Sequence, residues 1–160
     1  MNIFVVDRDP IVAAQSLHDK HVVKMILETA QLLCGVFPPG AAPYKRTHYN
    51  HPCAIWTRAS LANYKWLLMH GHELCAEFVY RFGHTHATQQ VLDWCSLRLG
   101  GYDEPKLPNI GLTPFIAAVP DQYKVEDVVE SCRAYYKAEK LGGKRGLHIW
   151  TRRTKPPWLQ

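Results

Sequence analysis

The chain has 160 residues, 47% of them hydrophobic, and a formal charge of +5 from 19 Lys and Arg against 14 Asp and Glu. That length suits one domain with a substantial core, and no apolar run approaches the ~20 residues of a membrane helix, which excludes a spanning protein. Nothing at the amino end reads as a signal peptide, and the five cysteines, odd in number and without a CxxC pair, exclude a disulfide framework and a cysteine zinc cluster, so a cytoplasmic setting is expected.

In chain order, Ile3-Phe4-Val5-Val6 reads as one short strand or an extended buried segment. Asp9-Pro10 supplies an N-cap and a proline at the first helical position, and helix is expected from there to about Val36, ended by Gly35 and Phe37-Pro38-Pro39-Gly40. A loop of Pro, Gly and polar residues follows and closes in Thr47-His48-Tyr49-Asn50-His51-Pro52. A second helix is expected from Pro52 to Phe82, interrupted or bent near Gly71 and stopped by Gly83, and a third from about Thr85 to Leu99. Pro105, Pro108, Pro114 and Pro120 make 101–120 an ordered irregular connection, and Val125 to Lys140 reads as a last amphipathic helix closed by Gly142-Gly143. The expected fold is mainly α: a single irregular helical domain over 1–160, with about four principal helices, long ordered loops and a basic segment at 142–160.

The first helix carries the most chemical information. It is apolar around most of its circumference, yet Lys20, Lys24 and Glu28 recur every four residues in one line, with His21 beside it. Such a line is either an exposed stripe with i,i+4 support or the charged lining of a cleft, where a lysine holds phosphate and a shielded glutamate acts as a base. Arg46, His48, Asn50 and His51 gather at the start of the second helix, where backbone N–H groups favour anions; a plain cap and turn is the alternative. Arg58, Asn63, Tyr64, Trp66 and His70 follow, and Asn63, Trp66 and His70 share a helix face suited either to an extruded base or to the core.

The tail holds Lys144, Arg145, Arg152, Arg153 and Lys155 around Trp150 and Trp158, with no acidic residue. It reads as a nucleic-acid contact or as a solvated segment anchored by its tryptophans. Histidines occur in near pairs, but HExxH and the Glu-x-x-His pairs of di-iron bundles are missing, so no metal ligand is assigned.

Several phrases act together: Asn2 to Asp7 with Asp9-Pro10; Asp19-Lys20-His21-Val22-Val23-Lys24-Met25 with Leu27 to Gln31; Asn50-His51-Pro52 with Trp56, Arg58, Asn63 and Tyr64; then Thr113-Pro114-Phe115 and Tyr135-Tyr136 with Glu139-Lys140. In combination the chain resembles the phage amino acid:DNA transferases of thymine hypermodification. That resemblance implies replacement of pyrophosphate on a 5-hydroxymethyluracil-derived base by an amine such as glycine, with DNA and an amino acid as partners, in the host cytoplasm. It implies Lys20, Lys24, Arg46 and Arg58 on the leaving phosphates, Glu28 or His21 as base, His51 beside them, and Asn63 and Tyr64 around the pyrimidine. No cofactor is required, and a divalent cation on the pyrophosphate is compatible. Two rival readings stand: a DNA glycosylase or lyase in which Lys20 or Lys24 forms a Schiff base, and a non-catalytic nucleic-acid-binding module built on the tail.

Overall fold

The computed structural model describes residues 1–141 and 148–160. Its helices are α1 (Pro10–Ser16), α2 (Asp19–Cys34), α3 (Pro52–Ala59), α4 (Leu61–Phe82), α5 (Gln89–Ser96) and α6 (Val128–Tyr135), and no strand occurs among the described residues. The fold is therefore mainly helical, with six α-helices among the described residues where about four were expected. The 22-residue α4 is its axis and packs against α1, α2, α3 and α5.

The opening segment is extended and buried rather than a strand. Ile3, Phe4, Val5 and Val6 are all at most 4% exposed, so both faces are covered and the two-sided apolar pattern needs no sheet partner. Arg133 of α6 donates to the Val6 carbonyl at 2.8 Å instead. Asp9 then caps α1 as expected, accepting from Ile11 N at 2.8 Å, with Pro10 in the first turn.

The first expected helix breaks at Leu17-His18, whose backbone is extended. No proline or glycine marks the break; a side chain 64 residues away sustains it. The Arg81 guanidinium, fully buried on α4, donates to the Leu17 carbonyl at 2.9 Å and to the Gln15 carbonyl at 3.0 Å. It thereby takes up carbonyls that the end of α1 would leave unpaired. The same guanidinium meets Glu77 at 2.6 Å and Asp19 at 2.9 Å.

The second expected helix breaks at Ser60, not near Gly71. Ser60 is extended and its hydroxyl accepts from Asn63 N at 3.0 Å, a helix N-cap in mid-pattern. Gly71 instead marks close packing: a Cβ there would stand 2.9 Å from Thr29 Cγ2 of α2 and 3.1 Å from Leu92 Cδ1 of α5. Gly83 does stop α4, with φ 76° and its N–H on the Val79 carbonyl. The third expected helix is shorter than its pattern, and the last passes at Tyr136 into a π-helical turn, Tyr136–Leu141. Its expected stop at Gly142-Gly143 lies outside the described residues.

The tail returns to the core. Trp150 is buried and donates from Nε1 to the Ser16 carbonyl at 3.0 Å. Arg153 forms an ion pair with Glu77 at 2.9 Å. Two cations, Arg81 and Arg153, thus meet two carboxylates, Glu77 and Asp19, at the junction of α1, α2, α4 and the tail. Replacing Arg81 by methionine would leave both carboxylates without their central partner, so a loss of about 3–5 kcal/mol is expected in urea unfolding; a loss below 1 kcal/mol would show the network to be dispensable.

Candidate active site

The extended amino-terminal segment runs along α2 and brings the start of the chain onto Glu28. Asn2 N donates to Glu28 Oε2 at 2.9 Å, and the Met1 amino group lies 3.9 Å from the same oxygen. Lys24, one helical turn before, holds Oε1 at 3.3 Å. Asn2 is itself fixed: its Oδ1 accepts from Ile3 N at 2.8 Å and its Nδ2 donates to the Ala118 carbonyl at 3.1 Å. One hollow of about 180 Å³ is lined by Met1, Asn2, His21, Lys24, Glu28 and Lys140, among others. A carboxylate with only 11% of its side chain exposed therefore sits between two amines, one of them mostly exposed.

His21 forms part of the wall. Its ring stacks on Phe4 at 4.9 Å, and Nδ1 is 3.0 Å from the Tyr136 hydroxyl. That hydroxyl already accepts from His18 N at 3.1 Å, so donating its own proton to Nδ1 satisfies both groups and leaves the His21 proton on Nε2. Burial, then His18 and Lys140, push the His21 pKa down to about 3, so the ring is neutral at physiological pH. His18, stacked on His21 at 4.2 Å, is pushed down to about 4 by burial and by His148.

Of the line Lys20, Lys24 and Glu28, the last two meet in this hollow; Lys20 is exposed and outside its lining. His51 caps α3, accepting from Cys53 N at 3.1 Å; its pKa is lowered by burial and then by the amino terminus, and it does not line the hollow. His48 adopts φ 48° and pairs with Thr47 at 2.7 Å, and Asn50 is exposed. Arg46 and Arg58 both lie against the Tyr49 ring.

The face expected to cradle a base is core. Asn63 is fully buried and spends its amide on Trp56 O, Thr113 Oγ1 and Thr113 N, all within 2.9 Å. Tyr64 is likewise buried, Trp66 donates to the Arg8 carbonyl, and His70 stacks on Trp66 with its Nδ1 3.1 Å from the Pro10 carbonyl. α4 is enclosed by neighbours on this side, which sequence spacing alone does not reveal.

In the tail, Arg153 is held by Glu77, Arg152 donates to the Tyr80 carbonyl at 2.9 Å, and Lys155 stands 5.9 Å over Trp150. These bonds tie the segment down. Lys144 and Arg145 lie outside the described residues. A larger cavity of about 570 Å³ between Phe37, Trp94, Arg98 and Glu104 contains none of the expected catalytic residues. Among the described residues no three His, Cys, Asp or Glu side chains converge as a metal site, and no helix is long and apolar enough to cross a membrane.

Sequence reasoning missed the amino terminus, Ala118 and Lys140. The available signal was the all-buried Ile3-Val6 run, which holds the residues just before it in place.

His18 and His70, the latter also pushed down to about 4 by burial, are neutral in the fold and regain an ordinary pKa of 6.5 on unfolding. Because the unfolded chain binds the protons, stability is full above about pH 7 and falls as pH drops through 6.5 toward 4. The loss is at most about 1.4 kcal/mol per pH unit for each histidine. Urea midpoints at pH 7 and pH 5 measure it, and equal midpoints would contradict the assignment.

Residues 1–90 match the family model described as pyrimidine dimer DNA glycosylase. No curated protein and no solved structure matches the chain. The match covers the Asp19 to Gln31 and Asn50-His51-Pro52 phrases and overturns the resemblance to amino acid:DNA transferases. Those phrases belong to a base-excising family, and neither the pyrophosphate displacement nor the amino-acid partner has support. DNA remains the partner, and the chain is a DNA-acting enzyme.

Proposed function

Because the chain belongs to the pyrimidine dimer DNA glycosylase family, we propose that it cleaves the N-glycosidic bond of a pyrimidine dimer in DNA through an imine between a protein amine and the sugar. The observation that carries this reading is the shielded Glu28 carboxylate flanked by the Met1 amine at 3.9 Å and Lys24 at 3.3 Å in one hollow.

The chemistry needs a neutral amine, a proton carrier and room for a sugar. The Met1 side chain is 3% exposed and the Lys24 side chain 63%, so the amino terminus is the amine held in place for attack. Asn2 N is already 2.9 Å from Oε2, so loss of Met1 would leave an amine at the same carboxylate. The amine lone pair forms the N–C1′ bond as the glycosidic bond breaks toward the pyrimidine, which leaves with the electron pair and is protonated by water. Glu28 takes the proton of the new ammonium and returns it to the ring oxygen as the sugar opens, leaving a protonated imine.

Lys24 and Lys140 supply positive charge for the adjoining phosphates, while neutral His21 adds none. At about 180 Å³ the hollow is smaller than the roughly 300–1,000 Å³ of ordinary ligand pockets. It suits one deoxyribose, with the fused bases remaining outside.

Incubation with duplex DNA bearing a thymine dimer, followed by borohydride, is expected to give a covalent adduct that maps by mass spectrometry to the amino-terminal peptide. Glu28→Gln should lower excision at least about 100-fold. Every step uses protein groups and water, so activity is expected to persist in excess EDTA. An adduct on Lys24 would move the nucleophile to that residue; full excision by Glu28→Gln, or its abolition by EDTA, would overturn the scheme.

A further inference from the structure

The loop between α2 and α3 presents a feature the excision scheme does not use. The Tyr49 ring, 41% exposed, has the Arg46 guanidinium carbon 4.4 Å and the Arg58 guanidinium carbon 3.9 Å from its centroid. Both arginines are also tethered to backbone. Arg46 donates from Nε to the Gly35 carbonyl at 3.2 Å and from Nη2 to the Phe37 carbonyl at 2.6 Å, closing the C-terminal end of α2. Arg58 donates from Nη1 to the Tyr49 carbonyl at 2.5 Å.

Arg8, Arg81, Arg133 and Arg153 each have a carboxylate within 4 Å. Among the described residues no carboxylate pairs with Arg46 or Arg58. Arg98 and Arg152 likewise bond to backbone carbonyls with no carboxylate partner among those residues, but only Arg46 and Arg58 share one ring. Two guanidinium groups share one partly exposed ring, and Nη1 of Arg46 and Nε and Nη2 of Arg58 remain outside the bonds just named. Carbonyls and a ring face offset part of the two charges but no full anion does, and a pre-organised fork loses little entropy on binding one.

The placement suits a DNA strand. Gly35, to which Arg46 is tied, lies seven residues beyond Glu28 on α2, about 10 Å along the axis. The same loop runs into α3, whose Cys53 thiol donates to Asn2 Oδ1 at 3.6 Å, and Asn2 lines the hollow.

We propose that Arg46, Tyr49 and Arg58 form a preformed seat for a DNA phosphate, with the Tyr49 ring as the spacer that holds both cations. That the anion is a phosphate of DNA rests on the glycosylase reading; the seat itself is testable by binding alone.

The test uses the full chain and a fluorescent undamaged 20-base-pair duplex, with affinity measured by anisotropy from 50 to 200 mM salt. Arg46 is left intact because it closes α2. Arg58→Gln should weaken binding several-fold and reduce the slope of log K against log salt by about 0.9, the loss of one phosphate contact. Tyr49→Leu, which removes the spacer and keeps both charges, should weaken binding with a smaller change of slope. Thermal melting establishes that each variant is folded. Should folded Arg58→Gln and Tyr49→Leu both keep the wild-type affinity and slope, the seat does not exist. Should wild-type protein fail to excise dimers while Arg58→Gln still lowers the slope, the excision scheme falls and the phosphate seat stands.

Discussion

The buried Arg81 guanidinium is the interaction from which the remaining geometry follows. It joins Glu77 on its own helix, Asp19 at the start of α2, and the carbonyls of Gln15 and Leu17 at the end of α1. A buried charge is costly unless paired and fully hydrogen-bonded; this one is both, and Arg153 completes the neutralisation of Glu77. Burial alone would push the Asp19 carboxyl up, but hydrogen bonds from Thr151 and Arg81 outweigh it and hold the carboxyl below its ordinary range. The directions of α1 and α2 are thereby set against α4. α2 in turn offers Glu28 to the amino-terminal segment.

The site is a second consequence of the same arrangement. The Ile3-Val6 segment is buried on both faces, and α6 grips its far end through Arg133. The amino terminus is thereby brought to Glu28, with Asn2 N 2.9 Å from Oε2. Around this pair the wall is kept neutral: burial pushes the Tyr136 hydroxyl up and the His18 and His21 rings down. Positive charge in the hollow therefore comes from amines and not from imidazolium, and the carboxylate has no acidic rival among the residues lining it.

Several parts of this were legible in the chain. The Asp9-Pro10 start, the Gly83 stop and the overall helical character follow from local rules of capping and periodicity. The Lys24 and Glu28 pair could be read as a cleft lining because its neighbours on α2 are apolar. The α4 face of Asn63, Trp66 and His70 satisfied the same criterion and turned out to be core. Spacing places side chains on one face; it does not say whether another element covers that face. The phrases that pointed to transferases were distinctive, but they identified a sequence pattern without identifying its chemistry.

By itself, the sequence determined local matters: that the chain is mainly helical, the Asp9-Pro10 start and the Gly83 stop, that the start of the chain is apolar enough to bury, and that the charge balance favours a polyanion. Only the tertiary structure decided where α1 gives way to α2, because the partner that sustains the break is Arg81 on another helix. It also decided that the amino terminus and Glu28 share a hollow while Lys20 lies outside it. Both outcomes depend on hydrogen bonds and burial between residues far apart in the chain, and no period or propensity of one segment encodes the position of another.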